Sequence, residues 1–488
     1  MKTIKISPSD NVAVALEPLK AGETHQGVTL LEDIPAGHKF ALCDIAEGGN
    51  IIKYASPIGH ATQAVKAGAW VHTHNVKTNL SGLLEYSYNP HPCAMPVDRE
   101  ATFEGYVRAD GRVGIRNEVW IVNTVGCVNG TAKTLERLAQ EAYGDRVDGI
   151  HCFVHPYGCS QLGEDHKNTQ KLLASMVHHP NAGAVLVLSL GCENNNLNEF
   201  KKVLGDVNPD RVKFLITQDV EDEIEEGMKL LDELTAYAAK ARRQSVPASE
   251  LVIGLKCGGS DGLSGITANP LLGRASDLLA RHGGTTLLTE VPEMFGAETL
   301  LMDRCKDEAT FEKAVSLIND FKAYFIRHGQ EVYENPSPGN KAGGITTLED
   351  KSLGCTQKGG TAEVRGVLKY CEPVTEKGLN LVQGPGNDLC AITALMASGA
   401  QMVLFTTGRG TPVGAPIPTV KVATNTPLAE KKHAWIDFNA GVLVQGASME
   451  ETAETFFKKL LSIASGEQTK SEQHDYREIA IFKDGVTL

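Results

Sequence analysis

The sequence predicts a multidomain α/β protein: a small β-rich module at the amino terminus, then two α/β domains with largely parallel sheets. Three observations carry this. First, apolar, largely β-branched runs end abruptly in a cysteine followed by polar residues or glycine, in VWIVNTVGCVNG (Val119–Gly130), AVLVLSLGCENNN (Ala184–Asn196) and LVIGLKCGGSDG (Leu251–Gly262). Such runs, bounded by turn residues, read as buried parallel strands. Second, beyond residue 101 these runs alternate with helical patterns, as right-handed βαβ units require. Third, residues 1–88 are broken by Gly and Pro every 8–12 residues, which gives short strands and tight turns.

In chain order, the β-rich module spans 1–88. NPHPCAMPVD (Asn89–Asp98) has three prolines in ten residues and reads as a linker, extended to 89–100. The first α/β domain, 101–247, is expected to hold strands at Val119–Val125, Gly149–Val154, Ala184–Ser189 and Lys213–Ile216. Helices are expected at Thr131–Ala142 and His166–His178, with a charged one at Val220–Gln244 led by acids and ended by bases, matching the helix dipole. The second, 248–488, opens with the Leu251 strand and carries long Gly- and Pro-rich loops, including TTGRGTPVGAPIPT. Loops of that length in a compact domain are usually functional. In open α/β sheets ligands bind beyond the carboxyl ends of strands, so Cys127, Cys192 and Cys257 mark where a polar active site would be built.

The 488 residues suit about three domains. A net charge of −13 argues against nucleic acid and anionic membranes as partners, yet leaves an acidic small substrate open to a local basic or metal site. No apolar stretch approaches the roughly 20 residues of a bilayer span. MKTIKISPSD lacks an apolar signal region, and 11 scattered cysteines read as reduced thiols or metal ligands, so a cytoplasmic protein is expected. Neither GxxxxGK[ST] nor GxGxxG occurs, so no nucleotide cofactor is expected.

His72-Thr73-His74-Asn75 is the sharpest local pattern. If extended, it points both imidazoles to one face about 6.6 Å apart, a spacing that one metal ion can bridge. The alternative is a pair of surface histidines. HPYGCSQLGEDH gathers His155, Cys159 and His166, candidates for acid–base work or for a packed, satisfied cluster. KCGGSDGLSGITANP (Lys256–Pro270) surrounds Ser260, Asp261 and Ser264 with glycines, where successive amides form an anion-binding nest. Arg409, in the Gly-rich loop after MVLFTT, is placed to pair with a substrate carboxylate or with a structural acid. Glu290 and Gln383–Asp388 are further strand-end candidates. No CxxC spacing signals an iron–sulfur cluster, although isolated cysteines such as Cys127, Cys192 and Cys257 could converge on one.

Nine strings, in order from end to end, resemble the altronate/galactarate dehydratase family of sugar-acid hydro-lyases. They are DNVAVAL (Asp10–Leu16), GHKFAL with DIAEG (Gly37–Gly48), IIKYASPIG (Ile51–Gly59), HTHN, GYVRADGRVGIRN (Gly105–Asn117), HPYGCSQLGEDH, LGCENNN, KCGGSDGLSGITANP and TTGRGTP. The resemblance implies an amino-terminal β-clip-like SAF domain and dehydration of an aldonate, activated by Fe2+ or Mn2+. D-altronate comes first among the substrates, converted to 2-dehydro-3-deoxy-D-gluconate in hexuronate catabolism. A sister sugar acid such as galactarate or galactonate, an iron–sulfur hydro-lyase and a non-enzymatic sugar-acid binder are the alternatives, and a homo-oligomer is possible.

Dehydration needs a base for the C2 proton, an acid for the C3 hydroxyl and a cation for the developing charge. The expected assignment places the metal on His72 and His74, with Cys192 or Glu193 as third ligand. Asn75, Asn194, Ser260 and Arg409 would hold substrate. His155, His166 or Asp261 would move protons.

Overall fold

The structure is a computed structural model and describes residues 2–488. The amino-terminal module is all β. A four-stranded antiparallel sheet runs in the order Thr3–Ile4, Val12–Ala15, Lys39–Ala41, Trp70–Val71. A second sheet pairs Asn50–Lys53, Ser56–Ala61 and Val76–Lys77. Both faces close on small apolar cores, Val12, Ile51, Ile58 and Val71 in one, Ala13, Leu19 and Phe40 in the other. The turn joining Lys53 to Ser56 places Tyr54 and Ala55 at positive φ of 59° and 60°. Left-handed backbone at two non-glycine residues is strained, and such strain persists only where the surroundings fix it. Here the Ala55 amide donates to Asp10 (2.8 Å), and the Tyr54 phenol abuts Gly265 and Gly354 of the carboxyl-terminal domain. A side chain at Gly265 would meet that phenol oxygen at 2.3 Å.

Residues 78–101 hold no helix or strand. They lie as a strap over the carboxyl-terminal domain, pinned by Tyr86 to Glu298 (2.5 Å), the His91 amide to Asp303 (2.6 Å) and Asp98 to Arg281 (2.6 Å).

The middle of the chain builds a four-stranded parallel sheet in the order Ile150–Phe153, Glu118–Asn123, Ala182–Ser189, Val212–Ile216. Helices Asn129–Tyr143 and Glu223–Ala238 cover one face through Leu135, Leu231 and Leu234. Helix Glu223–Ala238 is shorter than the sequence suggested. The chain leaves it to form strand Gln244–Pro247, which pairs back onto Thr102–Val107 and ties the ends of this region together. Helices Gly163–His178 and Leu197–Leu204 cover the other face. That apolar core does not stop at the sheet: Trp120, Val187 and Phe200 are continuous with Leu395, Val403 and Phe405 of the next one.

Seven parallel strands form the carboxyl-terminal sheet, in the order Val364–Leu368, Gly378–Val382, Thr285–Leu288, Val252–Cys257, Met402–Thr407, Thr419–Ala423, Phe438–Asn439. From Val252–Cys257 the chain first builds to one side and later, through Met402–Thr407, to the other. The crevice between these two strands is therefore a topological switch point, where open α/β sheets bind ligands.

Candidate active site

Strand Val252–Cys257 is buried on both faces, yet it ends in Lys256 and Cys257. A fully buried ammonium requires partners. Lys256 pairs with Glu290, with Asp388 (2.9 Å) and with the Cys257 carbonyl (2.7 Å). Burial opposes its charge, but Glu290 and Asp388 outweigh it and hold Lys256 above the ordinary lysine value. Glu290 stands at φ 68°, so the chain turns sharply after strand Thr285–Leu288 and aims this carboxylate back at Lys256, the Cys257 amide (3.0 Å) and Lys358 (2.8 Å).

One residue triplet converges beside it. Cys257 Sγ lies 3.1 Å from Glu293 Oε2, Cys355 Sγ lies 3.2 Å from the same oxygen, and the two sulfurs are 3.4 Å apart. Lys358 Nζ stands 2.9 Å from Cys257 Sγ, and Lys351 Nζ 2.7 Å from Glu293 Oε1. Burial opposes the Glu293 charge, but Lys351, then Lys256 and Lys358, hold its carboxyl far below the ordinary range. The hydrogen bond to Cys257, together with burial, raises the Cys355 thiol well above its ordinary value. Among the described residues this is the one group of three such side chains with ligand atoms within 4.8 Å of one another. Its sulfur separation is close to the roughly 3.8 Å edge of a tetrahedral site with about 2.3 Å metal–sulfur bonds. Two soft thiolates and a carboxylate suit Fe2+ better than Mn2+. The residues therefore fit the divalent ion that the family resemblance implies, with release of the thiol protons on binding.

The amino-terminal module roofs this cluster. Helix Leu348–Cys355 carries Asp350, Lys351 and Cys355, and all eight of its residues are buried. Asp350 accepts from Lys39 (2.8 Å) and Lys53 (2.9 Å), both reaching down from the module. Although burial opposes its charge, these two ammoniums hold Asp350 well below the usual carboxylate range, while burial pushes Lys39 down to about 8. Lys53, Tyr54, Ser260, Asp350, Lys351 and Cys355 line a narrow cavity. Ser260 Oγ is buried there without a hydrogen-bond partner. Across Asp261 opens a larger cleft of about 530 Å³, bounded by Gly37, Gly343, Arg409 and Asn425. The Gly258–Gly265 loop and the Gly408–Arg409 loop are bonded across the switch point through the Gly259 carbonyl, which accepts from the amides of Gly408 (3.1 Å) and Arg409 (3.0 Å).

Asp261 thus borders both hollows, with Ser260 on the narrow cavity and Arg409 on the larger cleft. Asp261 is half-buried, and burial raises its carboxyl. Thr424 (3.0 Å), Ser264 (3.1 Å), the Leu263 amide (3.1 Å) and Asn425 (3.2 Å) orient it. Arg409 is exposed and, among the described residues, has no carboxylate within ion-pair distance.

The four residues assigned to a metal are not gathered in this way. His72–Asn75 is a turn rather than extended, because Asn75 Oδ1 accepts the His72 amide (2.9 Å) and the Asn75 amide returns to the His72 carbonyl (3.0 Å). The alternate-residue geometry of a strand is therefore lost. His72 is buried, stacks on Trp70 (5.6 Å), bonds Thr346 Oγ1 (3.2 Å) and is pushed by burial down to about 3, whereas His74 is exposed. Cys192, Glu193 and Asn194 lie on the loop that follows strand Ala182–Ser189 of the four-stranded sheet. Glu193 is occupied by Thr124 (2.6 Å), Ser189 (2.5 Å) and the Gly191 amide (2.6 Å). Asn194 accepts the Ser160 amide (3.0 Å). His155 there uses both nitrogens on backbone, Nε2 to the Asn123 carbonyl (2.8 Å) and Nδ1 from the Tyr157 amide (3.2 Å). His166, on helix Gly163–His178, is half-buried with Nδ1 unpartnered.

Lys39, Lys53, Lys256, Glu293, Asp350, Lys351 and Lys358 were not singled out from the sequence. The available signal was a lysine inside an apolar run, in LVIGLKCGG and in GNIIKYAS. A charge there must be paired in the fold, and only the fold names the partner.

Family models divide the chain along the same lines. Residues 1–79 match the altronate/galactarate dehydratase SAF domain, 105–239 the D-galactarate dehydratase/altronate hydrolase second domain, and 248–487 the D-galactarate/altronate dehydratase C-terminal domain. The chain is 56% identical to altronate dehydratase of Escherichia coli (strain K12), covering 100% of both chains. It belongs to the D-galactarate/altronate dehydratase family. Within that family, altronate dehydratase of Bacillus subtilis (strain 168) is also 56% identical, over 99% of both chains. Galactarate dehydratase (L-threo-forming) of Escherichia coli (strain K12) is 35% identical, over 98% of this chain and 96% of its own.

Proposed function

We propose that this chain dehydrates D-altronate to 2-dehydro-3-deoxy-D-gluconate and water, in the crevice between the amino-terminal module and the carboxyl edge of the seven-stranded sheet. The carrying observation is the buried lysine–carboxylate–thiol cluster at the switch point, in a chain similar over its whole length to two altronate dehydratases. A polyhydroxy acid needs cations for its carboxylate and a matched acid and base beside C2 and C3. Arg409 supplies a cation, and the free Ser260 hydroxyl a hydrogen-bond donor.

Asp261, raised by burial and oriented by Thr424 and Asn425, is the base assigned to the C2 proton. Lys351, which Glu293 holds as an ammonium against the opposing effect of burial, protonates the C3 hydroxyl as it leaves as water. The enol then passes its hydroxyl proton to neutral Lys351 and takes the Asp261 proton at C3, which gives the 2-keto product and restores both groups. Cys257, Glu293 and Cys355 would hold a ferrous ion, which supplies Lewis acidity to a substrate oxygen. His155 and His166 stand at the edge of the other sheet and have no step in this scheme.

All 11 cysteines are free, which supports a reducing compartment such as the cytoplasm. No helix among the described residues is long and apolar enough to cross a membrane.

Incubating purified protein with ferrous ion and, separately, altronate, galactonate, mannonate and galactarate tests the reading. Altronate is expected to yield 2-dehydro-3-deoxy-D-gluconate fastest. Failure to consume it, or a preference for galactarate, overturns the proposal.

A further inference from the structure

The strand-end cysteines fall into two groups. Cys257 belongs to the buried cluster described above. Cys127, Cys159 and Cys192 are exposed, each on the loop that leaves one strand of the four-stranded sheet at its carboxyl end. These are three consecutive strands of that sheet, Ile150–Phe153, Glu118–Asn123 and Ala182–Ser189, and the chain departs from the central one to either side. The trio therefore occupies the switch point of the second sheet, as the lysine–thiol cluster occupies that of the first.

The three loops are locked together. The Gly126 amide donates to the Tyr157 carbonyl (2.8 Å) and Asn129 Nδ2 to the His155 carbonyl (2.9 Å), tying the Cys127 loop to the Cys159 loop. The Asn195 amide donates to the Gly158 carbonyl (2.9 Å) and the Ser160 amide to Asn194 Oδ1 (3.0 Å), tying the Cys159 loop to the Cys192 loop. Asn195 Nδ2 reaches the Thr124 carbonyl (3.0 Å) and closes the ring. A side chain at Gly158 would meet the Thr124 carbonyl oxygen at 2.0 Å, so glycine permits this approach. Ser160, next to Cys159, is held at φ 60°, a strained conformation for serine. Beside the same loops, Asn123 Oδ1 and Gln161 Nε2 are buried without hydrogen-bond partners. A native fold seldom leaves such atoms unsatisfied unless something else occupies the site.

A single tetrahedral ion needs sulfurs about 3.8 Å apart, given bonds of about 2.3 Å. This trio is not among the side chains gathered within 4.8 Å. Three thiols on interlocked loops, not gathered within 4.8 Å, suit a polynuclear centre, in which each sulfur binds a different iron. Cys192 Sγ accepts from Gln218 Nε2 (3.4 Å) and Cys159 Sγ from Ser160 Oγ (3.9 Å), contacts of the kind that tune cluster thiolates. We propose that Cys127, Cys159 and Cys192 ligate an iron–sulfur cluster through three thiolates, leaving one iron without a cysteine ligand.

The full-length protein is reconstituted anaerobically with ferric iron, sulfide and a thiol that reduces part of the iron, then desalted. The expected product is brown, with a broad visible band and with iron and acid-labile sulfide in comparable amounts. Cys127→Ser, Cys159→Ser and Cys192→Ser each lose the band, whereas Cys257→Ser and Cys43→Ser keep it. Far-UV circular dichroism checks the fold of each variant. An independent measurement uses the wild-type chain alone: reconstitution should protect these three thiols, and not Cys43, from iodoacetamide as read by peptide mass spectrometry. A colourless product, iron without sulfide, a band that follows Cys257, or unprotected Cys127, Cys159 and Cys192 overturns the proposal. The readouts are spectral and analytical, so they are independent of whether altronate is the substrate.

Discussion

Asp350 shows how much one side chain carries. It is the only carboxylate facing both Lys39 and Lys53 within ion-pair distance among the described residues. Asp350→Asn leaves two buried ammoniums without a counter-charge, a change that costs about 3–5 kcal/mol. Urea denaturation should show that loss, with the amino-terminal module released from the carboxyl-terminal domain. Cys355→Ser acts on chemistry instead. Serine keeps the volume but is a poor ligand for ferrous ion at neutral pH, so bound iron in the purified enzyme and altronate turnover should fall together while the melting midpoint of the iron-free protein changes little. Iron content and turnover unchanged in this variant would remove the triplet from the site. These two residues also mark what a linear reading misses. Cys355 follows a glycine in LEDKSLGCTQKGG, but its partners Cys257 and Glu293 are 98 and 62 residues away. Nothing in the spacing of LEDKSLGCTQKGG points to them.

At the scale of elements, the strand-end rule served well. Each apolar run that ends in a polar turn is a parallel strand, because burial on both faces demands continuous apolar sequence. The rule pointed to Ser260, Asp261 and Arg409, which line two hollows that share Asp261. The extended reading failed at His72–Asn75, where the local competition between strand and turn was won by Asn75 capping its own turn. The contact between the module and the Gly258–Gly265 loop is backbone to backbone: a side chain at Gly262 would meet the Gly37 carbonyl oxygen at 2.0 Å. Gly262→Ala should therefore lever the module away, at about 1–3 kcal/mol, and lower turnover at least tenfold with circular dichroism unchanged. Wild-type kinetics for this variant would show that the module need not seat closely for catalysis.

For the whole molecule, charge and core set the expectations. Asp350 and Glu293 both have folded-state values depressed by lysines. Their stabilisation is complete above the ordinary carboxylate values of about 4 and is lost as pH falls below them. A melting midpoint that drops steeply below about pH 4, and less steeply in Asp350→Asn, is the expected record from calorimetry. The apolar core that runs from Trp120 through Leu395 to Phe405 joins the two large domains. They should therefore unfold in one transition, and Trp120→Ala, costing about 3–5 kcal/mol, should shift that transition whole rather than split it.

The sequence by itself determined the kinds of element, the order of the β module and the two parallel sheets, the sheet edges at which polar turns gather and the family, because periodicity and strand-end turns are local properties. Only the tertiary structure decided which strand-end groups meet. It put Cys257 with Glu293 and Cys355 under Lys39 and Lys53, and separated it from Cys127, Cys159 and Cys192 on another sheet. The physical reason is that a buried charge or thiol is satisfied by whatever the packing of distant segments brings within hydrogen-bond reach, and that distance is not encoded in neighbouring residues.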